Sequence, residues 1–313
     1  MIKIASLPTI AGALLALGLS AAPAHALANR TFVSGKGTDA AACTVTAPCR
    51  TFAFALTQTN ASGEIDVLDP AGYAPVTTTK AISIVNDGAG VAGIQAGSGA
   101  TGVTINAGAG DSVHLRGLTI EGLGSGQNGI QFNTGGNLAI ENCVIRNFVG
   151  AGINISPRTS SSFSVSNTIA SNTDGIAIQP TGTAVVKGVL SKVTANNNFD
   201  GILVDGSVTT GTSLNVTIDD SVASNNGSIG VFAQSASGHA TTAVMQRNVV
   251  ASGNGGSGLE ADTNAILRVA HSVVTGNGTG VATSGGTIQS YGDNDIDGNT
   301  NNNTRVLTVI PMH

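Results

Sequence analysis

Asn142-Cys143-Val144-Ile145-Arg146-Asn147, running on to Gly152-Ile153, is the stretch on which the reading of this chain turns. The phrase returns as Asn167-Thr168-Ile169-Ala170-Ser171-Asn172, running on to Gly175-Ile176. Its opening polar residue recurs at Ser191, Asp220, Asn248, Ser272 and Asn294, and two places on stand Val193, Val222, Val250, Val274 and Ile296. Five places after each opening residue come Asn147, Asn172, Asn196, Asn225, Gly253 (with Asn254 beside it), Asn277 and Asn299. A second column of glycines, Gly129, Gly152, Gly175, Gly201, Gly230, Gly258 and Gly280, is followed each time by Ile, Val or Leu. A repeat of 22 to 29 residues this regular means one structural unit stacked on copies of itself.

Stacking predicts an inward aliphatic after each turn glycine, with alternate residues facing out. Nine or ten coils of strands about 4.8 Å apart make a rod of roughly 45 Å. The opening polar column is expected to hydrogen-bond from coil to coil and satisfy turn groups. Asn142, Asn167, Asn248 and Asp220 are its members, so Asp220 is read as structural rather than as an acid catalyst. Cys143 reads as a partly buried thiol beside a buried Val.

Composition narrows the function. Glycine takes 43 of 313 residues, about twice the usual share, and charged residues are 10%, against about 25% in an ordinary domain. Residues 1–26 read as a signal peptide: Lys3, an apolar run over 10–19, and the small-x-small end Ala24-His25-Ala26. Losing Lys3 with that segment takes the net charge from −5 to −6. So few cations argue against nucleic acid and against anionic membranes. The expected location is secreted or periplasmic, without membrane insertion, and the expected state is a monomer. In an oxidising compartment Cys43 and Cys49 are expected to form a small disulfide loop. Metal binding by the pair is the weaker reading, since no His or Cys stands near it.

Residues 27–80 read as an N-terminal cap with the first coils, and 81–313 as the repeat with a C-terminal cap. Arg50-Thr51-Phe52-Ala53-Phe54-Ala55-Leu56 predicts one amphipathic helix, suited to cover the apolar end of a solenoid. The two longest coils carry their surplus in 206–213 and 234–242. Both segments follow the Gly-aliphatic strand and are expected to wall a groove.

These coils resemble the right-handed parallel β-helix repeats of the pectate-lyase-like superfamily. The resemblance implies an all-β, single-stranded right-handed parallel β-helix with a short capping helix. Gly37-Thr38-Asp39 with Pro48-Cys49-Arg50-Thr51-Phe52 is similar to the opening segment of exported bacterial β-helix proteins. Such coils are shared by lyases, hydrolases, epimerases and adhesins, so the fold does not choose among them.

Asn172-Thr173-Asp174-Gly175 resembles the Asn-Thr-Asp motif of the polygalacturonase family, which implies Asp174 as a catalytic carboxylate. One coil on, the matching position is Asp200, about 5 Å away by strand spacing. Paired carboxylates repel, which raises one pKa and leaves an acid beside a base, as glycoside hydrolysis requires. The family's other motifs are missing: Phe199-Asp200 stands where it has Asp-Asp, Ser228-Ile229-Gly230 where it has Gly-His-Gly, and Leu267-Arg268-Val269 lacks its lysine. Asn-Thr-Asp-Gly is also an ordinary turn sequence.

Asp205, Glu260 and Phe199 are the candidate ligand-binding residues around the pair, Phe199 as a stacking surface for sugar. No cofactor is expected, although Asp174, Asp200 and Asp205 together would suit a weak calcium site. A lyase also needs a basic side chain beside the carboxylates. None stands in their column: Arg247 and Arg268 fall on one other strand, and Lys187 and Lys192 flank another. No Trp is present, Tyr73 and Tyr291 lie near the ends, and Phe132 and Phe163 read as core. The leading expectation is a non-catalytic glycan-binding, surface-binding or structural module, whose partner would be a polysaccharide or cell-surface glycan. The alternative is a polysaccharide hydrolase, less readily a calcium-dependent lyase, using Asp174 and Asp200.

Overall fold

Each coil contributes three short strands, and three sheets grow by stacking them. In the computed structural model, which describes residues 27–40 and 42–311, one such coil is Asn137–Glu141, Val144–Phe148 and Ile153–Ile155. The next begins at Ser161–Ser166, which pairs in parallel on Asn137–Glu141. The first, second and third sheets so built hold 12, 10 and 9 strands, and each runs the length of the solenoid. Residues 1–26, expected to be a signal peptide, lie outside the described residues.

The glycine column behaves as expected. Ile130, Ile153, Ile176, Ile202, Val231, Leu259 and Val281 sit over one another in the third sheet, all buried. Phe132 and Phe163 are core. The core is thus built of stacked, mainly aliphatic columns, each buried Ile or Leu contributing about 1.5–3 kcal/mol.

The two turn columns need correction by one or two residues. Between the first and second sheets, Asn142, Asn167, Lys192, Asp220, Asn248 and His271 all hold left-handed backbone, with φ between 47° and 54°. Lys192 and His271 replace the expected Ser191 and Ser272, because Ser166 pairs with Ser191 and Arg247 with Ala270. Asn294 stands one place past this column, accepting the Ser272 N–H at 2.8 Å. Asn167 does donate to Asn142 (2.6 Å), and Asn248 to Asp220 (2.9 Å), but both bonds are on the surface. The buried member is the next residue. The hydroxyls of Thr168, Ser221 and Ser272 accept the N–H of Cys143, Val193 and Val249 one coil before. Each donates in turn to a carbonyl two residues back in its own coil. Cys143 itself is buried, while its neighbour Val144 is only half-buried, since the inward residue of that strand is Ile145.

The buried asparagine ladder lies at the second turn. Asn198, Asn226, Asn254, Asn277 and Asn299 stack behind a left-handed column of Asn172, Asn197, Asn225, Gly253, Gly276 and Gly298. Asn196, expected here, belongs instead to the second-sheet strand Thr194–Asn196. Each ladder carbonyl takes the backbone N–H of the matching residue one coil earlier, Thr173 for Asn198 and an Asn for the rest, and each amide donates to a strand carbonyl. Asn254 Nδ2, for instance, reaches Ala223 O at 3.1 Å. The glycine column serves this ladder. A Cβ on Gly230 would lie 2.7 Å from Asn254 Nδ2 and 2.6 Å from Gly258 O, and one on Gly258 would lie 2.7 Å from Asn277 Nδ2.

The N-terminal end is closed by the helix Phe52–Gln58, which buries Phe52, Ala55 and Leu56. Thr51 caps it, and Asp39 holds the Arg50 and Thr51 N–H groups and the Thr51 hydroxyl. Cys43 and Cys49 form the disulfide, both buried. The segments 206–213 and 234–242 lie against their neighbouring coils rather than rising as walls: Gly206 N–H meets Gln234 O, Ala240 N–H meets Thr209 O, and the Thr209 hydroxyl meets Ala184 O.

Candidate functional site: the outer face of the third sheet

Residues just before the glycine column face outward at the turn into the third sheet. In two adjacent coils they are Asp174 and Asp200, whose backbones stack at the strand spacing of about 4.8 Å. Burial holds the Asp174 carboxyl above the ordinary aspartate value, and the Asp200 charge adds to the shift. One oxygen of Asp200 accepts the Ile229 N–H at 3.0 Å, which fixes its orientation. The raised Asp174 carboxyl thus stands one coil from a second carboxylate, an arrangement suited to acid-base work.

Around them runs a groove of about 320 Å³, lined by Asn128, Asn154, Gln179, Phe199, Leu203 and others. Phe199, on the turn between the second and third sheets, leaves 63% of its surface exposed. The structure thus brings together three of the five expected site residues: Asp174, Asp200 and Phe199. Asp205 is buried and accepts Ser207 N–H at 2.8 Å and Gln179 Nε2 at 3.4 Å, so its carboxylate braces the sheet instead of lining the groove. Glu260 sits two coils beyond Asp200, outside the groove. Burial raises its pKa, with the charges of Asp262 and Asp200 adding to the effect. Among the described residues no three His, Cys, Asp or Glu side chains converge as metal ligands, so Asp174, Asp200 and Asp205 do not assemble the weak calcium site that their residue types would suit.

The amides were missed. Gln131 Oε1 accepts from Asn128 (2.9 Å) and Asn154 (3.0 Å), while Gln131 Nε2 donates to Asn133 (2.8 Å) and Ser156 (2.7 Å). Asn133 extends the network to Asn106 at 2.9 Å. Their signal is in the sequence: Gln131 and Asn154 each follow a Gly-Ile pair, at the first outward position of the strand. Their outward column starts at Thr77 and Thr104, continues past them as Ala177, Leu203, Phe232, Glu260 and Ala282, and contains no cation.

A solenoid of three parallel sheets with stacked turn asparagines and a lateral groove defines the class of right-handed β-helices. Residues 128–301 match the family described as "Right handed beta helix region", and the chain belongs to that family. Among solved structures it is similar to the pectate lyase Pel9A, at 16% identity and a TM-score of 0.59, over 83% of this chain and 74% of that one. A second similarity is to the A-module of Azotobacter vinelandii mannuronan C-5 epimerase AlgE4, at 16% identity and a TM-score of 0.45, over 80% of this chain and 90% of that one. No curated protein matches the chain. At such identities the likeness to Pel9A extends to the fold alone.

Proposed function

We propose that this protein is an exported glycan-binding β-helix whose ligand lies across the outer face of the third sheet. The observation that carries the reading is the hydrogen-bonded amide network from Asn106 to Asn154, leading to the exposed Phe199 ring. Amides already held by one another keep donors and acceptors in place for sugar hydroxyls, so little side-chain freedom is lost on binding. An aromatic face beside them takes the apolar side of a sugar ring. The leader composition and the Cys43–Cys49 crosslink support export.

A binding role is favoured over catalysis by the electrostatics. Lyase chemistry needs a basic side chain at the carboxylates, and the outward column of this sheet offers none. Hydrolysis is the second reading, favoured by one observation, the stacking of Asp174, its pKa raised by burial, on Asp200 in the next coil. Titrating a panel of neutral and acidic oligosaccharides, while assaying release of reducing ends, separates the two. The expected result is binding without release, weakened about tenfold in Phe199→Ala, which corresponds to about 1.4 kcal/mol of lost stacking. Reducing ends released by the wild type and abolished in Asp174→Asn would establish the hydrolase. Absence of binding to every saccharide tested would reject both.

A further inference from the structure

We infer that the outer face of the first sheet carries a separate site for a short, linear, anionic oligosaccharide. A groove of about 470 Å³ lies there, within the range of about 300–1,000 Å³ usual for ligand sites. It crosses five adjacent strands, from that of Ser162 to that of Arg268. Val189, Thr217 and Met245 stand in one outward column, with Asn215 beside them, and Lys187 and Arg268 occupy opposite corners.

Charge selects the ligand class. Neither Lys187 nor Arg268 has an ion-pair partner among the described residues, whereas Arg30, Arg116 and Arg146 are each paired with carboxylates. The two outward columns holding them, from Asn137 to Thr287 and from Ala139 to Gln289, contain no acidic residue. The nearest carboxylate along these strands is Asp219, which stands opposite Arg247 in the register and beyond the groove. On the other side of the same coils the third sheet carries Asp174, Asp200, Glu260 and Asp262. The solenoid is therefore polarised, and an anion meets attraction on one face only.

Geometry selects the shape. Lys187 and Arg268 are three strand steps and two residues apart, about 16 Å along the diagonal. A floor of Val189 and Met245 on either side of Thr217, with Asn215 beside them, suits a ligand with both hydroxyls and C–H faces. The patch measures about 15 Å by 7 Å between its corner residues. That is far below the roughly 800 Å² per partner of a stable protein contact, which favours a saccharide over a folded protein or a second copy of the chain.

The site shares no residue with the groove at Asp174 and Phe199, so the two readings fail independently. The test is calorimetric titration of the mature chain with trigalacturonate, sulfated maltotriose and neutral maltotriose. Either anionic probe should bind, and binding should weaken more than tenfold in the double variant Lys187→Glu/Arg268→Glu. It should also weaken in about 0.5 M salt, where screening falls to a few ångströms. The remote Lys36→Glu should leave it unchanged, and preference between the two probes identifies carboxylate or sulfate as the recognised group. Circular dichroism and melting verify that the double variant folds, and the single variants Lys187→Ala and Arg268→Ala repeat the test if it does not. Titrations in a Phe199→Ala background take the third-sheet groove out of the readout, and the proposal is overturned if there no anionic probe binds, if maltotriose binds equally well, or if the charge reversals change nothing. Self-association in sedimentation that depends on these two cations, without saccharide binding, would overturn it in favour of a second copy.

Discussion

Replacing Asn254 by Ala should cost about 4 kcal/mol, while replacing Asn248 by Gly should cost close to nothing. The Asn254 side chain accepts from the backbone and the amide of Asn226, and donates to Ala223 O and to Asn277 Oδ1. All four bonds are buried, and at about 1 kcal/mol net each their loss sums to about 4 kcal/mol. Asn248 makes a single exposed bond to Asp220 and holds φ at 52°, a conformation that glycine adopts at no steric cost. Against a total stability on the order of 5–15 kcal/mol, the first change is severe. Thermal melting followed by circular dichroism reads it as a drop of about 8–16 °C, at about 2–4 °C per kcal/mol for a chain of this size. Equal shifts for the two variants, or an Asn254→Ala loss under 1 kcal/mol in urea unfolding, would refute the assignment of the ladder to the second turn.

Gly230→Ala should lose about 1–3 kcal/mol in the same melts, because its Cβ would meet both Asn254 Nδ2 and Gly258 O; an unchanged midpoint would show that the coils spread freely. Gln246 is wholly buried between Ile218 and Val269, with neither amide atom partnered among the described residues, so Gln246→Leu should raise stability by about 1–3 kcal/mol. A lowered urea midpoint would mean that the amide has a partner in solution. Asp174 has a raised folded-state pKa, so the folded chain holds the extra proton between the unfolded and folded values. Its ionisation therefore removes stability as pH rises through the window just above 3.8. Asp174→Asn should abolish that part of the slope; identical pH profiles for the two proteins would contradict it. Asp69 acts in the opposite sense, its pKa lowered chiefly by the Gly35 N–H and then by the Ser34 hydroxyl. Its contribution is present above the ordinary value and lost as pH falls below it, so Asp69→Asn should cost least in acid, as acid unfolding curves will report.

How far the sequence could be read depended on whether neighbouring residues differ in chemistry. Gly-Ile, Gly-Val and Gly-Leu pairs locate the third sheet without ambiguity, because glycine and a large aliphatic cannot exchange places in a stacked turn. The polar turns are less legible. Asn142 and Thr168 are one position apart in the coil, both polar and both hydrogen-bonded along the stack, yet one is exposed and the other buried. Asn196, Asn197 and Asn198 are chemically identical in sequence and differ only in where the backbone turns. Asp174, Asp200 and Phe199 were found because they flank the glycines. Asp205 was misplaced because its carboxylate turns to Ser207, which spacing along the chain does not reveal.

The sequence by itself determined the period, the stacked parallel strands, the capping helix and the Cys43–Cys49 pairing, all of which follow from local pattern and composition. Only the tertiary structure decided which asparagines are buried, which carboxylates share a groove, and that Lys187 and Arg268 frame one face while the aspartates occupy another. The physical reason is that register between coils is set by packing across the whole cross-section. A shift of one residue exchanges inside for outside, and no single coil contains the information that fixes it.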